Sequence, residues 1–114
     1  MEGTKTRKID ALLRRRNAIV FAIVGGMRQQ DGWSDRYIAH RYWSGWIEFK
    51  DTKTRVRDLQ RIRIRELNER GVEAYIVRFT DDGLCVQDHA DTVLANCQPE
   101  TLLETLQSIR GSRH

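Results

Sequence analysis

Two segments of helical periodicity bracket three short runs with the period of a strand, and that order leaves few folds open. Ile9, Leu12 and Leu13 recur at helical spacing within residues 6–16. Thr4 or Thr6 is available as N-cap, and Arg14-Arg15-Arg16 sits at the end where the helix dipole favours cations. Residues 56–70 form the second segment. Val56, Leu59, Ile62, Ile64 and Leu67 make its apolar face, and Gly71 supplies a stop. Between the two lie Ala18 to Val24, a β-branched run ended by Gly25-Gly26, then a polar loop from Met27 to Gly32. The aromatic-rich Asp35 to Tyr42 and then Trp46 to Lys50 follow, with Ser44-Gly45 read as the turn of a hairpin. Glu73 to Phe79 is a further strand, with Ala74, Ile76 and Arg78 on one face and Tyr75, Val77 and Phe79 on the other. The order helix, strand, strand, strand, helix, strand predicts an α/β fold built around a small mixed sheet. Asp81-Asp82-Gly83 turns into a short segment at Leu84 to Val86. Residues 99–109 read as a final helix with Pro99 in its first turn. The addition over residues 83–114 is therefore expected to be mainly helical.

The chain has 114 residues, the size of one domain. Its 39% hydrophobic and 32% charged residues fit a packed globular chain rather than a disordered one. No apolar run reaches the ~18–20 residues of a membrane span, and no secretory leader is evident, so the expected setting is cytoplasmic, away from membranes. Cys85 and Cys97 lack metal-ligand spacing and are expected to be free thiols. His40, His89 and His114 are scattered and receive no role. Charge is divided unevenly. Residues 1–70 hold 17 basic against 9 acidic side chains, and residues 71–114 hold 3 against 7. A basic N-terminal body is what a phosphate backbone attracts, although arginine-rich helix faces can also be merely solvated.

Chemistry concentrates on Asp35, Glu48 and Lys50. Alternation along a strand places Trp46, Glu48 and Lys50 on one face and the core-like Ile47 and Phe49 on the other. Two carboxylates can share a divalent cation, and a lysine two residues along the same strand can reach a phosphate or an attacking water. Whether Asp35 meets Glu48 depends on the loop. A tight turn at Ser44-Gly45 pairs Arg41 with Glu48 and leaves Asp35 roughly 20 Å away at ~3.3 Å per residue. A wider loop centred near residues 41–43 brings Asp35 opposite the Glu48–Lys50 segment. Gln60 falls among the apolar positions of the second helix, where a primary amide needs partners. It either supports the site or caps the rim of the core.

Gly32-Trp33-Ser34-Asp35-Arg36-Tyr37-Ile38, Trp46-Ile47-Glu48-Phe49-Lys50, Leu59-Gln60, and Arg70-Gly71-Val72 leading into Ala74-Tyr75-Ile76-Val77-Arg78 together resemble the VRR-NUC family of the PD-(D/E)xK nuclease superfamily. The resemblance covers roughly residues 6–82. It implies a restriction-endonuclease-like core with the mixed sheet flanked by helices, dependence on Mg²⁺ or Mn²⁺, and often a homodimer that cuts branched DNA. Asp35 and Glu48 become metal ligands, Lys50 the catalytic lysine and Gln60 the helix residue supporting the site. Two departures stand out. Ser34 occupies the place of the family's usual proline, and Thr6 that of a glutamate on the first helix, for which Glu2 or Asp10 are substitutes.

On that reading Asp35, Glu48 and the Phe49 carbonyl offer hard oxygen ligands to Mg²⁺, and Lys50 stabilises charge on the phosphate. The expected activity is endonucleolytic cleavage of DNA, structure-selective, in recombination, repair or phage DNA processing. Arg28, Lys53, Arg55 and Arg57 are the candidate phosphate contacts, with steep salt dependence. Trp33, Trp43, Trp46, Tyr37 and Tyr42 are expected mainly in core and dimer packing, with stacking on an unpaired base as the alternative. A non-catalytic nucleic-acid-binding domain on the same fold is the competing reading.

Overall fold

The computed structural model describes residues 2–23 and 35–112, and the side chains of 5–22 and 35–112. The Met27–Gly32 loop, Arg28, Trp33 and Ser34 lie outside the described residues. The elements in order are α1 (Glu2–Arg15), β1 (Ile19–Ile23), β2 (Asp35–Ala39), β3 (Ser44–Lys50), α2 (Asp58–Glu69), β4 (Ala74–Thr80), β5 (Gly83–Gln87), β6 (Val93–Cys97), a 3₁₀ turn (Pro99–Thr101) and α3 (Leu102–Ser112). No helix among the described residues is long and apolar enough to cross a membrane.

All six strands form one sheet in sequence order. Every neighbouring pair is antiparallel except β3 and β4, which run parallel because α2 carries the chain back between them. The mixed sheet is thus as expected from the element order, and helices flank it. The addition after residue 82 is not mainly helical. It contributes β5 and β6 before α3, so the sheet is extended as well as covered. β6 escaped the sequence reading because Val93, Leu94 and Ala95 stand among polar residues, with one face of the strand half exposed.

The cross-strand registers sort side chains into two faces. Ile38, Ile47, Phe49, Tyr75, Val77, Leu84 and Val86 pack with Ile9 and Leu13 of α1 and Leu102, Leu103, Leu106 and Ile109 of α3. This is the main core. On the opposite face Ala74 and Ile76 meet Val56 and Ile64, with Trp46 and Leu67 packed alongside. Among the described residues α2 therefore lies alone on the face that carries Glu48 and Lys50. Its apolar face is narrower than expected. Ile64 is buried, while Leu59 and Ile62 are exposed, because burial is centred on the Gln60–Ile64–Leu67 side.

The Ser44-Gly45 turn is corrected by the structure. Both residues lie inside β3, and the chain reverses at residues 40–43. Gly45 is required there by space: a Cβ would stand 2.5 Å from the Glu73 carbonyl oxygen and 2.7 Å from the Trp43 ring. Trp43 itself is buried in the main core, with its ring centroid 6.4 Å from that of Tyr75. Cys85 and Cys97 lie on neighbouring strands as free thiols. Cys85 is paired with Asn96 and Cys97 with Leu84, so the two side chains leave opposite faces of the sheet.

Candidate active site

The wider reversal at residues 40–43 sets the register on which the site depends. Asp35 lies directly opposite Glu48, Tyr37 opposite Trp46 and Ala39 opposite Ser44. Directly opposed residues of antiparallel strands project to the same face with Cβ atoms about 5 Å apart. Arg41, in the reversal, is not the partner of Glu48. Asp35, Glu48 and Lys50 thus share the face covered by α2, and all three are buried; Lys50 is 0% exposed. Its Nζ lies 3.9 Å from Glu48 Oε2.

Opposed carboxylates repel, and burial removes the water that would screen them. Burial pushes the Glu48 carboxyl up to about 9, and the adjacent Asp35 carboxylate adds to the rise, against the pull of Lys50 and Arg63. The free acid therefore holds a proton at Glu48 at neutral pH.

α2 supplies the remaining contacts. Gln60 Oε1 accepts the Arg57 backbone N–H at 3.0 Å, which caps the start of the helix. Its amide nitrogen then points the other way and donates to Glu48 Oε2 at 2.8 Å. Both ends of the amide are used, which answers why a glutamine sits on an otherwise apolar face. Arg63, one turn later, forms an ion pair with Asp35 Oδ2, and its guanidinium carbon stands 5.6 Å from the Trp46 ring centre. The sequence reading missed Arg63. Its signal was its place three residues after Gln60, on the flank of α2 that turns toward β2. The other flank is held by Arg61, which bonds the His89 carbonyl at 2.9 Å and Asp91 at 2.8 Å.

The loop between β3 and α2 is braced from below. Arg78 donates to the Asp51 carbonyl at 2.8 Å and the Thr54 carbonyl at 2.6 Å. Lys53, Arg55 and Arg57 project from or just beyond this loop and are exposed, beside the end of β3 that carries Lys50. Among the described residues Arg55 pairs only with Asp58, at 3.8 Å and largely in solvent. Arg28 lies outside the described residues.

The donor set is compatible with a hard divalent cation. Glu48 Oε1 is buried without a hydrogen-bond partner among the described residues, and it belongs to a carboxyl facing a second carboxylate. Among the described residues no third Asp, Glu, His or Cys completes a cluster. Water and phosphate oxygens would fill the remaining positions, as Mg²⁺ commonly requires. Asp10 does not substitute for the absent helix glutamate. Both of its oxygens are 3.1 Å from the Arg36 guanidinium, on the α1 face of the sheet. Thr6 is buried on the same helix, and the Glu2 side chain lies outside the described ones.

Comparison of the chain with protein-family models, with curated proteins and with solved structures found no match.

Proposed function

We propose that this chain is a divalent-metal-dependent DNA endonuclease. The observation that supports the reading best is the register placing Asp35 opposite Glu48, with Lys50 next on the same face and Gln60 bonded to Glu48. A sheet that needed only stability would not seat two carboxyls and an ammonium out of water on one face. A carboxyl such as Glu48, held well above its usual range by burial and a facing carboxylate, is characteristic of functional sites.

In this reading Asp35 and Glu48 hold Mg²⁺ or Mn²⁺, together with the Phe49 carbonyl. The bound ion would polarise a phosphate and acidify a water. Lys50 supplies positive charge where the phosphate becomes more negative. Gln60 keeps one Glu48 oxygen in place and leaves the other free to ligate. Lys53, Arg55 and Arg57 hold the DNA backbone from the loop entering α2, joined by Arg28. Branched or junction DNA as substrate and a homodimeric assembly come from the resemblance to VRR-NUC nucleases.

One observation favours a second reading, a non-catalytic nucleic-acid-binding domain. Arg63 already neutralises Asp35, so the charge of that carboxylate is balanced without an ion. The two readings separate on cleavage of labelled linear, flapped and four-way-junction DNA in Mg²⁺ or Mn²⁺. The nuclease reading expects metal-dependent cutting that Asp35→Ala and Lys50→Ala abolish while folding persists. Salt-sensitive DNA binding with no cutting in either metal would replace it with the binding-domain reading.

A further inference from the structure

A second basic feature lies at the other end of the β2–β3 hairpin. α1 ends at Arg15, and Asn17, with φ of 68°, turns the chain toward β1. Between this corner and the reversal at residues 40–43 opens a cleft of about 580 Å³, lined by Arg15, Arg16, Asn17, His40, Arg41 and Tyr42.

We infer that this cleft is a second phosphate-binding site, which takes the backbone of a nucleic acid away from the candidate active site. The charge of the cleft carries the inference. Among the described residues no carboxylate lines it, and Glu104 stands in the adjoining cavity. Arg16 is engaged by Glu104, but Arg15 and Arg41 have no acidic partner among the described residues. A helix C-terminus would ordinarily repel an anion through its free carbonyls. Here three of the carbonyls at this end are occupied. Leu13 O accepts the Arg16 and Ala18 N–H groups, Arg14 O accepts that of Asn17, and Arg16 O lies 2.9 Å from His40 Nε2. His40 Nδ1 accepts the Tyr42 N–H at 3.2 Å, so Nε2 carries the ring hydrogen toward Arg16 O. His40 thereby ties the reversal to the end of α1. The cleft is held open with two guanidiniums, the Asn17 amide and a Tyr42 ring that is 55% exposed. Arg41 stacks over that ring at 5.8 Å, which keeps a planar donor beside an aromatic face.

The exposed Tyr42 ring beside Arg41 favours a nucleic acid, which offers bases and phosphates together, over a small anion. The cleft lies at the α1 end of the hairpin, across the sheet from the α2-covered face of Asp35 and Glu48, so it is a contact apart from the candidate active site. The identity of the partner as DNA rests on the proposed function; the cleft itself does not require the metal chemistry.

The test is binding of a labelled DNA duplex by fluorescence anisotropy in EDTA, over a series of salt concentrations. Arg15→Ala/Arg41→Ala is compared with wild type and with Arg65→Ala/Arg70→Ala, which removes the same charge from the far half of α2. Loss of two phosphate contacts lowers the slope of log affinity against log salt by about 2. The expected result is that drop, and at least tenfold weaker binding at low salt, in the cleft variant alone. Equal slopes for wild type and the cleft variant, or an equal loss in the α2 variant, overturn the inference. Metal-dependent cleavage with an unchanged slope removes the cleft and keeps the nuclease. A changed slope without any cleavage does the reverse. Absence of DNA binding by the wild type overturns both.

Discussion

Arg63 closes on Asp35 from the flank of α2, and the guanidinium rests 5.6 Å from the Trp46 ring centre. A cation is therefore already supplied to the carboxylate that the proposed activity assigns to a metal. Charge at Asp35 is balanced by a side chain that is itself 47% exposed and held by one flexible stem. The arrangement balances the charge at Asp35 without a metal, and on the proposed function an ion would compete with Arg63 for that carboxylate.

The first prediction concerns that competition. Removing the guanidinium in Arg63→Ala leaves Asp35 to the metal. A half-exposed ion pair contributes up to ~1 kcal/mol, so Mn²⁺ affinity rises about 2- to 5-fold. Isothermal titration of wild type and variant measures it. Equal affinities would show that Arg63 does not compete.

The second follows from the proton on Glu48. Its carboxyl is raised from 4.5 to about 9, with burial the leading cause. Below the unfolded value both states are protonated, so the contribution of Glu48 to stability is complete there. Between ~4.5 and ~9 the unfolded chain releases this proton and the folded one keeps it, so stability falls as pH rises, by at most about 1.4 kcal/mol per pH unit. Glu48→Gln removes that decline. Denaturant midpoints at pH 5, 7 and 9 read the difference, and parallel curves for the two proteins would contradict the assignment.

Metal binding shares the same proton. An ion seated on Glu48 must displace it, so affinity rises from pH 7 toward 9 and about one proton leaves per ion bound. Calorimetry in two buffers of different ionisation enthalpy counts the proton. A count of zero would place the metal elsewhere.

On the opposite face, Asp10 and Arg36 form a buried pair with both carboxylate oxygens engaged. Removing one partner strands the other charge in the core. Asp10→Ala should cost about 3–5 kcal/mol, and Asp10→Leu/Arg36→Met should recover most of the loss. Chemical denaturation tests both. The double variant should also keep wild-type Mn²⁺ affinity, because α1 packs on the other side of the sheet from Glu48.

Ile64 and Leu59 belong to the same helical pattern but have opposite surroundings. Ile64 is 0% exposed and Leu59 is 68% exposed. Ile64→Ala should cost about 2–4 kcal/mol by leaving a cavity, and Leu59→Ala should stay within ~0.5 kcal/mol. Comparable losses would mean that Leu59 is covered in solution.

That pair also marks what could be read from the sequence. Helical period placed Val56, Leu59, Ile62, Ile64 and Leu67 on one broad face, yet period cannot say where the centre of burial falls. The strand faces of Trp46–Lys50 and Glu73–Phe79 were legible because alternation is local and strict. The hairpin was less so. Ser44-Gly45 carries turn chemistry, and only the packing of Trp43 and the closeness of the Glu73 carbonyl to Gly45 show that the pair lies within a strand. A shift of that reversal changes which residue faces Glu48, from Arg41 to Asp35.

By itself the sequence determined the element order through β4, the small mixed sheet, the shared face of Glu48 and Lys50, and the need of Gln60 for polar partners. Each of these follows from periodicity or from the cost of burying an amide, which are properties of neighbouring residues. Tertiary structure alone decided that Asp35 opposes Glu48, that Arg63 joins them, that Asp10 is committed to Arg36, and that β5 and β6 extend the sheet. Those outcomes depend on register and on which face each helix covers. Both are set by contacts between residues distant in the chain, where a slip of one position sends every side chain to the other side.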